Sequence, residues 1–460
     1  MIKVCRKDQE TILQRIREGK IDAAALSSSH LVDDIILSMK KNGVLDCIRR
    51  GFPDKRADNT VVPFELVLAP AIAAKMKTHS SLTDIPFALT DHRTLSELGY
   101  SLWDTNRDLK TGLMREGTLR FLLDKYSSDE MLRSYNDTVQ QHIFPALDIE
   151  ANIHILDCTK VEVNLKNTNY EGATVVSDNE GNVCRGYKLA TLRGIVRDSG
   201  IIEEIAFGSI STADLNLSRD MVMNTPMLKP GDVIINDRGF ISRELLNFLK
   251  AERQVDTYIP LRKNMVAYKM AVSAAIEDGK WEVHPNKKRR NQKIALVTNL
   301  GDLWPDEYDR LGVPINVCVV WDVETDNYFV FATTDISKTA KQIIQMYELR
   351  PEIEEDYRQI KDFWKLEDFR SKKLNVIAFH IVCVLLGYMF FQLYTMLPDG
   401  YAYAGKSLPV VLKNYAYTAH GFYVLYSDDI FGVVETTALM DLYVQCNEEA
   451  RVALKNVMQK

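Results

Sequence analysis

Residues 347–361 read Y-E-L-R-P-E-I-E-E-D-Y-R-Q-I-K, and this stretch decides how the rest of the chain is interpreted. A helix turns by about 100° per residue, so its side chains repeat along predictable stripes. One stripe, roughly 60° wide by that period, contains Tyr347, Arg350, Glu354 and Lys361. The neighbouring stripe is apolar and contains Met346, Leu349, Ile353, Ile360 and Trp364. The helix is therefore predicted to bury one flank in a core and to present a carboxylate with two cations beside it.

Two alternatives remain open for this stretch. Glu and Arg four residues apart are common on solvated helices, where such a pair contributes only about 0.2–0.5 kcal/mol. Pro351 either kinks one continuous helix, because it removes a hydrogen bond, or is the first residue of a second helix. In both cases the end with Tyr347 and Arg350 can be rotated relative to the end with Glu354 and Lys361.

Length and composition indicate an intracellular protein of several domains. The 460 residues predict two to four domains, and 46% apolar residues are enough for sizeable cores. Seven cysteines are scattered singly without a C-x-x-C motif, which argues against a disulfide framework, against structural zinc and for a reducing compartment. The N-terminus has no apolar run typical of a signal peptide. Residues 377–397 are apolar over the length of a membrane span, but they include His380 and Gln392, so we interpret them as a buried core helix.

The charge pattern restricts how the protein would contact nucleic acid. A net charge of −6 is not that of a protein that coats DNA non-specifically, so any such contact must be local. Two basic clusters stand out, and each is either a solvated face or a local DNA contact. The first comprises Lys287, Lys288, Arg289 and Arg290 with Lys293; the second comprises Lys40, Lys41, Arg49, Arg50, Lys55 and Arg56.

Apolar spacing predicts an α/β chain preceded by a helical region. Residues 1–148 read as all-helical. The next elements are predicted as strand, strand, strand, helix, strand, helix and strand, at 153–156, 187–197, 201–210, 215–223, 232–236, 243–252 and 255–261. Residues 262–312 break this pattern and read as an insertion. Strands at 317–321 and 328–333 are predicted to pair, and 401–460 end in a helix near 448–458.

Two buried strands are followed by an aspartate, Asp157 and Asp237. Active groups of α/β sheets gather at the carboxyl ends of strands, and a packed helix would bring Glu354 to the same place. Three carboxylates suit Mg²⁺ or Mn²⁺, and two such ions activate a water or a 3′-hydroxyl and stabilise the leaving oxygen of a phosphodiester. Arg350 and Lys361 would hold phosphates. The competing interpretation of each aspartate is a turn residue.

These motifs resemble a known family. Tyr347-x2-Arg350-x3-Glu354-x6-Lys361 matches the Tyr-Arg-Glu-Lys signature of DDE transposases of the bacterial insertion-sequence-4 type. Residues 237–240, Asp-Arg-Gly-Phe, look like that family's second-aspartate motif, and residues 157–159 fit its first-aspartate position. The resemblance covers about residues 150–400.

The resemblance implies a fold and a set of site residues. It implies a ribonuclease-H-like catalytic core at 149–261 and 313–400 and a mostly β insertion at 262–312. The helical region at 1–148 is expected to bind DNA, and the segment at 401–460 is expected to serve dimerisation. The metal ligands would be Asp157, Asp237 and Glu354, holding two Mg²⁺ or Mn²⁺ ions. The residues that would contact DNA are Tyr347, Arg350, Lys361, Arg238, Lys287, Lys288, Arg289 and Arg290. Trp321, or alternatively Trp281, is the candidate to stack on a flipped base, unless these tryptophans are simply buried.

The implied activity is cut-and-paste transposition of an insertion sequence: metal-dependent cleavage at the ends, a hairpin intermediate and strand transfer. The implied partners are double-stranded DNA, as terminal inverted repeats and target, and a second copy of the chain in a synaptic complex. No membrane is implied, and the expected location is the bacterial cytoplasm, at the nucleoid. Two alternatives are a domesticated copy that binds DNA without cutting it and a nuclease of the same fold without strand transfer.

Overall fold

The computed structural model describes residues 4–6, 9–28, 30–57, 63–89, 91–99, 113–114, 116–177, 181–197, 199–304, 312–415, 421–427 and 430–458. The helices are α1 (Gln9–Arg17), α2 (Leu31–Lys41), α3 (Val44–Gly51), α4 (Glu65–Met76), α5 (His92–Glu97), α6 (Glu116–Leu123), α7 (Ser128–Asp137), α8 (Phe144–Leu147), α9 (Asp214–Asn224), α10 (Arg243–Ala251), α11 (Val266–Asp278), α12 (Ala340–Tyr347), α13 (Pro351–Asp362), α14 (Leu374–Met396), α15 (Leu408–Tyr415), α16 (Thr436–Gln445) and α17 (Glu448–Met458). The strands are β1 (Val4–Arg6), β2 (Ala23–Ser28), β3 (Ile153–Val163), β4 (Thr174–Ser177), β5 (Val183–Val196), β6 (Ser199–Ser209), β7 (Val233–Asn236), β8 (Asp256–Pro260), β9 (Glu282–Val283), β10 (Gln292–Val297), β11 (Asn316–Asp322), β12 (Asn327–Thr333), β13 (Gly421–Ser427) and β14 (Ile430–Glu435).

Contacts divide the chain into two units. The sheet unit comprises Leu132–Lys361 and Lys372–Leu374, and the helical unit comprises Met1–Met131, Asp362–Ser371 and Asn375–Lys460. Each unit has a hydrophobic core of its own.

A ten-stranded mixed sheet organises the sheet unit. Its order is β4-β5-β3-β7-β8-β12-β11-β10-β9, and β6 pairs with β5 outside that path. β3, β7 and β8 run parallel, whereas β5 is antiparallel to β3 and β12 is antiparallel to β8. The α/β class, the strands at 187–197 and 201–210 and the pairing of 317–321 with 328–333 were predicted, and the sheet confirms them, with β5 and β6 paired directly.

Helices α12 and α13 cover one face of this sheet. Ile155 and Ile235 of the parallel strands lie in one buried cluster with Ile343 of α12 and with Ile353 and Tyr357 of α13. Fully burying such an aliphatic side chain contributes about 1.5–3 kcal/mol, so this layer holds α13 firmly on the sheet. The predicted apolar stripe is confirmed here, since Ile353 is 1% exposed.

Pro351 begins a second helix. α12 ends at Tyr347, residues 348–350 form a turn, and α13 starts at the proline, where the missing N–H costs no helical hydrogen bond. Of the two alternatives left open for Pro351, the one in which it is the first residue of a second helix is confirmed, and the kinked continuous helix is not observed.

Asp157 lies inside a strand rather than at its end. The parallel pairing of β3 with β7 ends at Leu156 opposite Asn236, but β3 continues to Val163 because β5 pairs with it over that length. The sequence beyond Asp157 keeps alternating, with Val161 buried and Glu162 exposed, which is the pattern of a strand with one solvated face.

The N-terminal region is helical with two strands that the sequence pattern did not reveal. β1 pairs with β14 and β2 pairs with β13, so residues 4–28 share a sheet with residues 421–435. An isolated strand such as Ala23–Ser28 has little apolar alternation, and its partner is remote in the chain. The prediction of an all-helical region is wrong at these two strands.

The segment 262–312 is not mostly β in its described residues. It contains the 13-residue helix α11, while β9 and β10 have two and six residues. β10 pairs with β11, so these strands extend the main sheet. The helix was missed because its apolar residues occur on all sides, with Val266 and Ile276 exposed and Ala271 buried.

Helix α14 forms the core of the helical unit. It is long and apolar enough to cross a membrane, but 89% of its most apolar window is buried inside the structure. At Gly387 an added Cβ would lie 2.9 Å from the Trp364 ring and 3.2 Å from Met76 Cγ, so α14 approaches its neighbours closely there. The interpretation as a buried core helix is confirmed.

Candidate active site

One arginine lies among the three acidic residues that the sequence singled out. Arg350 Nη2 is 2.8 Å from Asp157 Oδ2 and 4.0 Å from Asp237 Oδ2. Its Nη1 donates to Glu354 Oε1 over 2.6 Å. Carboxylates that are 80 and 117 residues apart in sequence, Asp157 from Asp237 and Asp237 from Glu354, thus meet at one point.

The two aspartates are positioned by adjacent parallel strands. Leu156 is opposite Asn236 in the β3–β7 register, so the next residue of each strand, Asp157 and Asp237, comes at the same edge. Asp157 stays in β3 opposite Thr191 of β5 and accepts the Cys158 N–H over 2.8 Å. Asp237 leaves its strand in an extended conformation, and a short 3₁₀ turn over Arg238–Phe240 follows.

Glu354 and Arg350 are positioned by the α12–α13 junction. The Arg350 N–H donates to the Tyr347 carbonyl in the turn, and Pro351 then starts α13. Glu354 lies in the first turn of α13, where the helix dipole favours a negative charge. The side chains of Arg350 and Glu354 therefore meet across the junction of the two helices.

A buried polar network fixes α13 against β3 and β5. Tyr357 Oη donates to the Asp157 carbonyl oxygen over 2.8 Å, and Thr191 Oγ1 is 2.6 Å from the same hydroxyl. Arg193 of β5 pairs with Asp356, and its Nη1 is 3.1 Å from Glu352. This network was not predicted from the sequence. The signal that could have revealed it is a pair of polar residues, 356 and 357, on the buried side of an amphipathic helix.

Burial and charge act in opposite directions at Asp157. Burial raises the pKa of Asp157 to about 6, although the Arg350 guanidinium and the Cys158 N–H favour the ionised form. The neighbouring carboxylates of Asp237 and Glu354 reinforce the rise. Burial also raises the pKa of Tyr347 to about 12, so its phenol stays protonated as a hydrogen-bond donor. A low-dielectric, acidic site of this kind is stabilised by a cation.

The donor set fits a hard divalent ion. Carboxylate oxygens are the ligands that Mg²⁺ and Mn²⁺ prefer in proteins. Within the described ranges, no three His, Cys, Asp or Glu side chains are arranged to hold a metal ion as they stand. At this cluster the Arg350 guanidinium lies among the carboxylates and supplies the positive charge.

Tyr347 and Arg238 line a cleft beside the acidic cluster. The cleft is open to solvent and is also lined by Asp237, Arg350 and Lys263. The Tyr347 ring packs on Phe331 with centroids 4.6 Å apart. Lys361 lies in the last turn of α13, about 10 Å along the helix axis from Glu354 at 1.5 Å per residue.

The basic residues 287–290 occupy an exposed turn that is attached to the α12–α13 junction. Lys287, Lys288, Arg289 and Arg290 are all exposed. Arg289 Nε is 3.3 Å from Glu348 Oε1, and Asn286 Nδ2 donates to the same oxygen over 3.1 Å. Glu348 is two residues before Arg350 in the sequence, so this contact attaches the basic turn to the segment that carries Arg350.

Trp321 belongs to an aromatic cluster at the end of β11. Its ring stacks on Tyr328 at 6.1 Å and lies 5.4 Å from Trp281, and its Nε1 donates to Asp326 over 3.0 Å. The side chain is half-buried. Because β11 is antiparallel to β12, which is antiparallel to β8, Trp321 is at the sheet edge that carries Asp237.

An acidic cluster at one edge of a mixed α/β sheet offers oxygen ligands of the kind that hard divalent ions prefer. The family model described as transposase DDE domain matches residues 156–390, a little over half of the 460-residue chain, and the match includes Asp157, Asp237 and Glu354. The chain belongs to this family of transposases, whose members act on DNA and generally use divalent metal ions. No curated protein matches the chain.

Proposed function

We propose that this transposase catalyses cut-and-paste transposition of an insertion sequence of the insertion-sequence-4 type, with Asp157, Asp237 and Glu354 as ligands of two Mg²⁺ or Mn²⁺ ions. The observation that carries the proposal is the convergence of these carboxylates on Arg350, within 2.8, 4.0 and 2.6 Å. When bound, the ions activate a water or a 3′-hydroxyl and stabilise the leaving oxygen.

The residues around the triad bind and orient the DNA end. Arg350 exchanges its carboxylate partners for the phosphate beside the cleaved bond, which its planar guanidinium can hold with two hydrogen bonds. Tyr347, protonated at neutral pH, donates to a phosphate oxygen from the cleft wall. Arg238 lines the same cleft, and Lys361 contacts the backbone further along α13.

The basic turn 287–290 extends the proposed DNA-binding surface beyond the cleft. Its four side chains are exposed, and its contact with Glu348 keeps it near the cleft. Lys and Arg that neutralise phosphates supply affinity without sequence readout. The net charge of −6 then reflects acidic residues elsewhere in the chain.

The strand order supports a ribonuclease-H-like catalytic core at 149–261 and 313–400. Its hairpin strands β5 and β6 lie on one side of β3, and the parallel strands β7 and β8 lie on the other. Residues 262–312 form the insertion, residues 1–148 bind the terminal inverted repeat, and residues 401–460 serve dimerisation. Two copies bring two ends and the target together, in the cytoplasm at the bacterial nucleoid.

The aromatic cluster at the end of β11 supports a hairpin intermediate. Trp321 stacks on a flipped base at the edge that also carries the triad, with Trp281 beside it. Stacking of a base on an aromatic ring contributes about 1–3 kcal/mol. This role requires the ring to separate from Tyr328, its present stacking partner.

A cleavage assay tests the proposal. The full chain with Mg²⁺ is mixed with a duplex that carries the end of its own element, beside Glu354→Gln. Glu355→Gln is the matched control, because Glu355 is exposed on the same helix and pairs with Arg358. Nicked and hairpin products that disappear only with Glu354→Gln support the proposal. Equal cutting by Glu354→Gln contradicts the site, and binding without cutting by all three proteins favours the domesticated DNA-binding protein.

A further inference from the structure

A second cationic site lies in the helical unit. Its cavity is small, opens to solvent and is lined by Lys75, Arg120, Arg370, His380 and Ser80. We call it the Lys75 cavity. None of its lining residues is an aspartate or a glutamate. A pocket with three cations and no carboxylate in its wall favours an anion.

Among the described residues, Lys75 is a buried cation with no carboxylate within ion-pair distance, although the charges of Asp368 and Asp84 act on it from further away. The residue is 2% exposed, and its Nζ donates to the carbonyl oxygens of His79 and Ser80 over 3.0 and 3.3 Å. No carboxylate oxygen of the described residues lies within 4 Å of Nζ. Burial lowers the pKa of this amine. Because a buried charge without a counter-ion is costly, an anion in the cavity would stabilise the site.

His380 adds a buried hydrogen-bond acceptor. The residue is 4% exposed, and its Nε2 donates to the Lys365 carbonyl over 3.1 Å. Burial and the nearby Lys75 charge lower the pKa of His380 to about 3, so the ring is neutral and Nδ1 carries a lone pair. Nδ1 is buried and has no hydrogen-bond partner. A ligand that satisfies it must carry a proton.

Arg370 and Arg120 form the mouth of the cavity. Arg370 Nε donates to Ser80 Oγ over 3.2 Å, and its Nη2 is 3.4 Å from Asp368. Arg120 pairs with Glu116 one helical turn away. Both side chains are more than half exposed, so these are weak surface ion pairs that an entering anion can replace.

We propose that the Lys75 cavity binds a phosphate group that carries one proton, either free hydrogen phosphate or the terminal phosphate of a nucleic acid strand in its singly protonated form. A terminal phosphate populates that form near its second pKa of about 6. Lys75 and the two arginines bind the phosphate oxygens, and the P–OH group donates to His380 Nδ1. Sulfate carries no proton at neutral pH and leaves Nδ1 unsatisfied. An internal phosphodiester also lacks this donor, so the site recognises strand termini rather than the continuous backbone.

Calorimetric titration of the full chain with inorganic phosphate tests the site. The buffer contains EDTA, is at pH 7 and has constant ionic strength, and sulfate is titrated in parallel. Phosphate is expected to bind at least tenfold more tightly than sulfate. Arg370→Gln is expected to weaken phosphate binding about tenfold, and Lys413→Gln, at an exposed position of α15, is the control with no change. Equal binding of both anions, or phosphate binding that Arg370→Gln leaves unchanged, overturns the proposal.

A second arm identifies the source of the phosphate. Anisotropy titrations at pH 6, where about half of a terminal phosphate keeps one proton, compare one oligonucleotide with a 5′-phosphate and with a 5′-hydroxyl. A tenfold gain from the 5′-phosphate that Arg370→Gln removes assigns the site to strand ends; phosphate binding without that gain assigns it to the free anion. Failure in both arms overturns the proposal. Asp157→Asn is expected to bind phosphate as the parent does, so failure of the cleavage assay is separable from failure here.

Discussion

Tyr357 of α13 donates a hydrogen bond to the main-chain oxygen of Asp157 in β3, over 2.8 Å. The helix that carries Glu354 is thus tied directly to the backbone of a residue on the opposite side of the acidic cluster. Thr191 completes the hydrogen bonding of the same hydroxyl. The distance between the Asp157 and Glu354 side chains therefore depends on a hydrogen bond in which neither of these side chains takes part.

Tyr357→Phe is expected to slow end cleavage about tenfold in single turnover, with DNA affinity unchanged. Loss of the Tyr357 hydroxyl removes this bond and leaves the buried Thr191 hydroxyl without its partner, which costs about 1–3 kcal/mol of folding free energy. Cleavage rates at saturating protein and urea denaturation measure the two effects. Tyr401→Phe, at a position 72% exposed, is the control. An unchanged cleavage rate in a destabilised Tyr357→Phe protein would show that the bond is structural only.

Removing one partner of the Arg193–Asp356 pair is expected to destabilise the sheet unit strongly. Arg193 is 4% and Asp356 is 7% exposed, and truncating one member of such a buried pair costs about 3–5 kcal/mol. Arg193→Met leaves Asp356 charged and buried, whereas Arg193→Met with Asp356→Leu should recover much of the loss. Urea denaturation measures both, with Arg358→Met as the exposed control. A cost below 1 kcal/mol for Arg193→Met would contradict the assignment.

Stability is expected to fall between pH 6.5 and 9.5 because of His154. Its Nδ1 is 2.7 Å from Glu203 and its Nε2 is 3.3 Å from Asp232. Burial opposes the charged ring, but the two carboxylates outweigh it and raise the pKa of His154 to about 9. A raised pKa gives stability that is complete below the unfolded value of 6.5 and is lost as pH rises through 9.

The size of this effect is on the order of 3 kcal/mol, from 1.36 kcal/mol per pKa unit. Denaturation of the parent and of His154→Gln at several pH values measures it as a difference, so other titrating groups cancel. The parent should lose its advantage over His154→Gln toward pH 9.5. A difference that stays constant with pH would show that His154 does not titrate in this range.

Arg350→Gln is expected to raise the affinity of the DNA-free protein for Mn²⁺ about tenfold, or 1.4 kcal/mol. The guanidinium is a positive charge among the three carboxylates, and its removal eliminates repulsion with the ion. The measurement is Mn²⁺ titration followed by electron paramagnetic resonance at pH 8, where Asp157, with a pKa of about 6, is ionised. DNA cleavage should fall in the same variant. Weaker Mn²⁺ binding would contradict this role of Arg350.

The elements that position the site were predicted from local sequence patterns. The strands that were missed depend on contacts between segments that are remote in the sequence. The strand before Asp237, the helix at 243–252 and the α/β order were readable because each depends on neighbouring residues. β1 and β2 were missed because their partners begin more than 390 residues later.

The site itself was predicted as a set of residue types but not as a geometry. Spacing placed Arg350 and Glu354 on one face, and the structure brings them together across a helix junction instead. Nothing in the sequence indicated that Arg350 contacts Asp157, or that Tyr357 holds its backbone, because those contacts depend on how α13 packs on the sheet.

A change of metal specificity tests most directly whether the acidic cluster holds the catalytic ions. Asp237→Cys replaces a hard oxygen ligand by a thiolate, which binds Mn²⁺ more readily than Mg²⁺. The account predicts that Asp237→Cys loses DNA-end cleavage in Mg²⁺ and regains it in Mn²⁺, while Asp220→Cys cuts with either ion. Cleavage by Asp237→Cys in Mg²⁺ at the parental rate would contradict the assignment of Asp237 as a metal ligand.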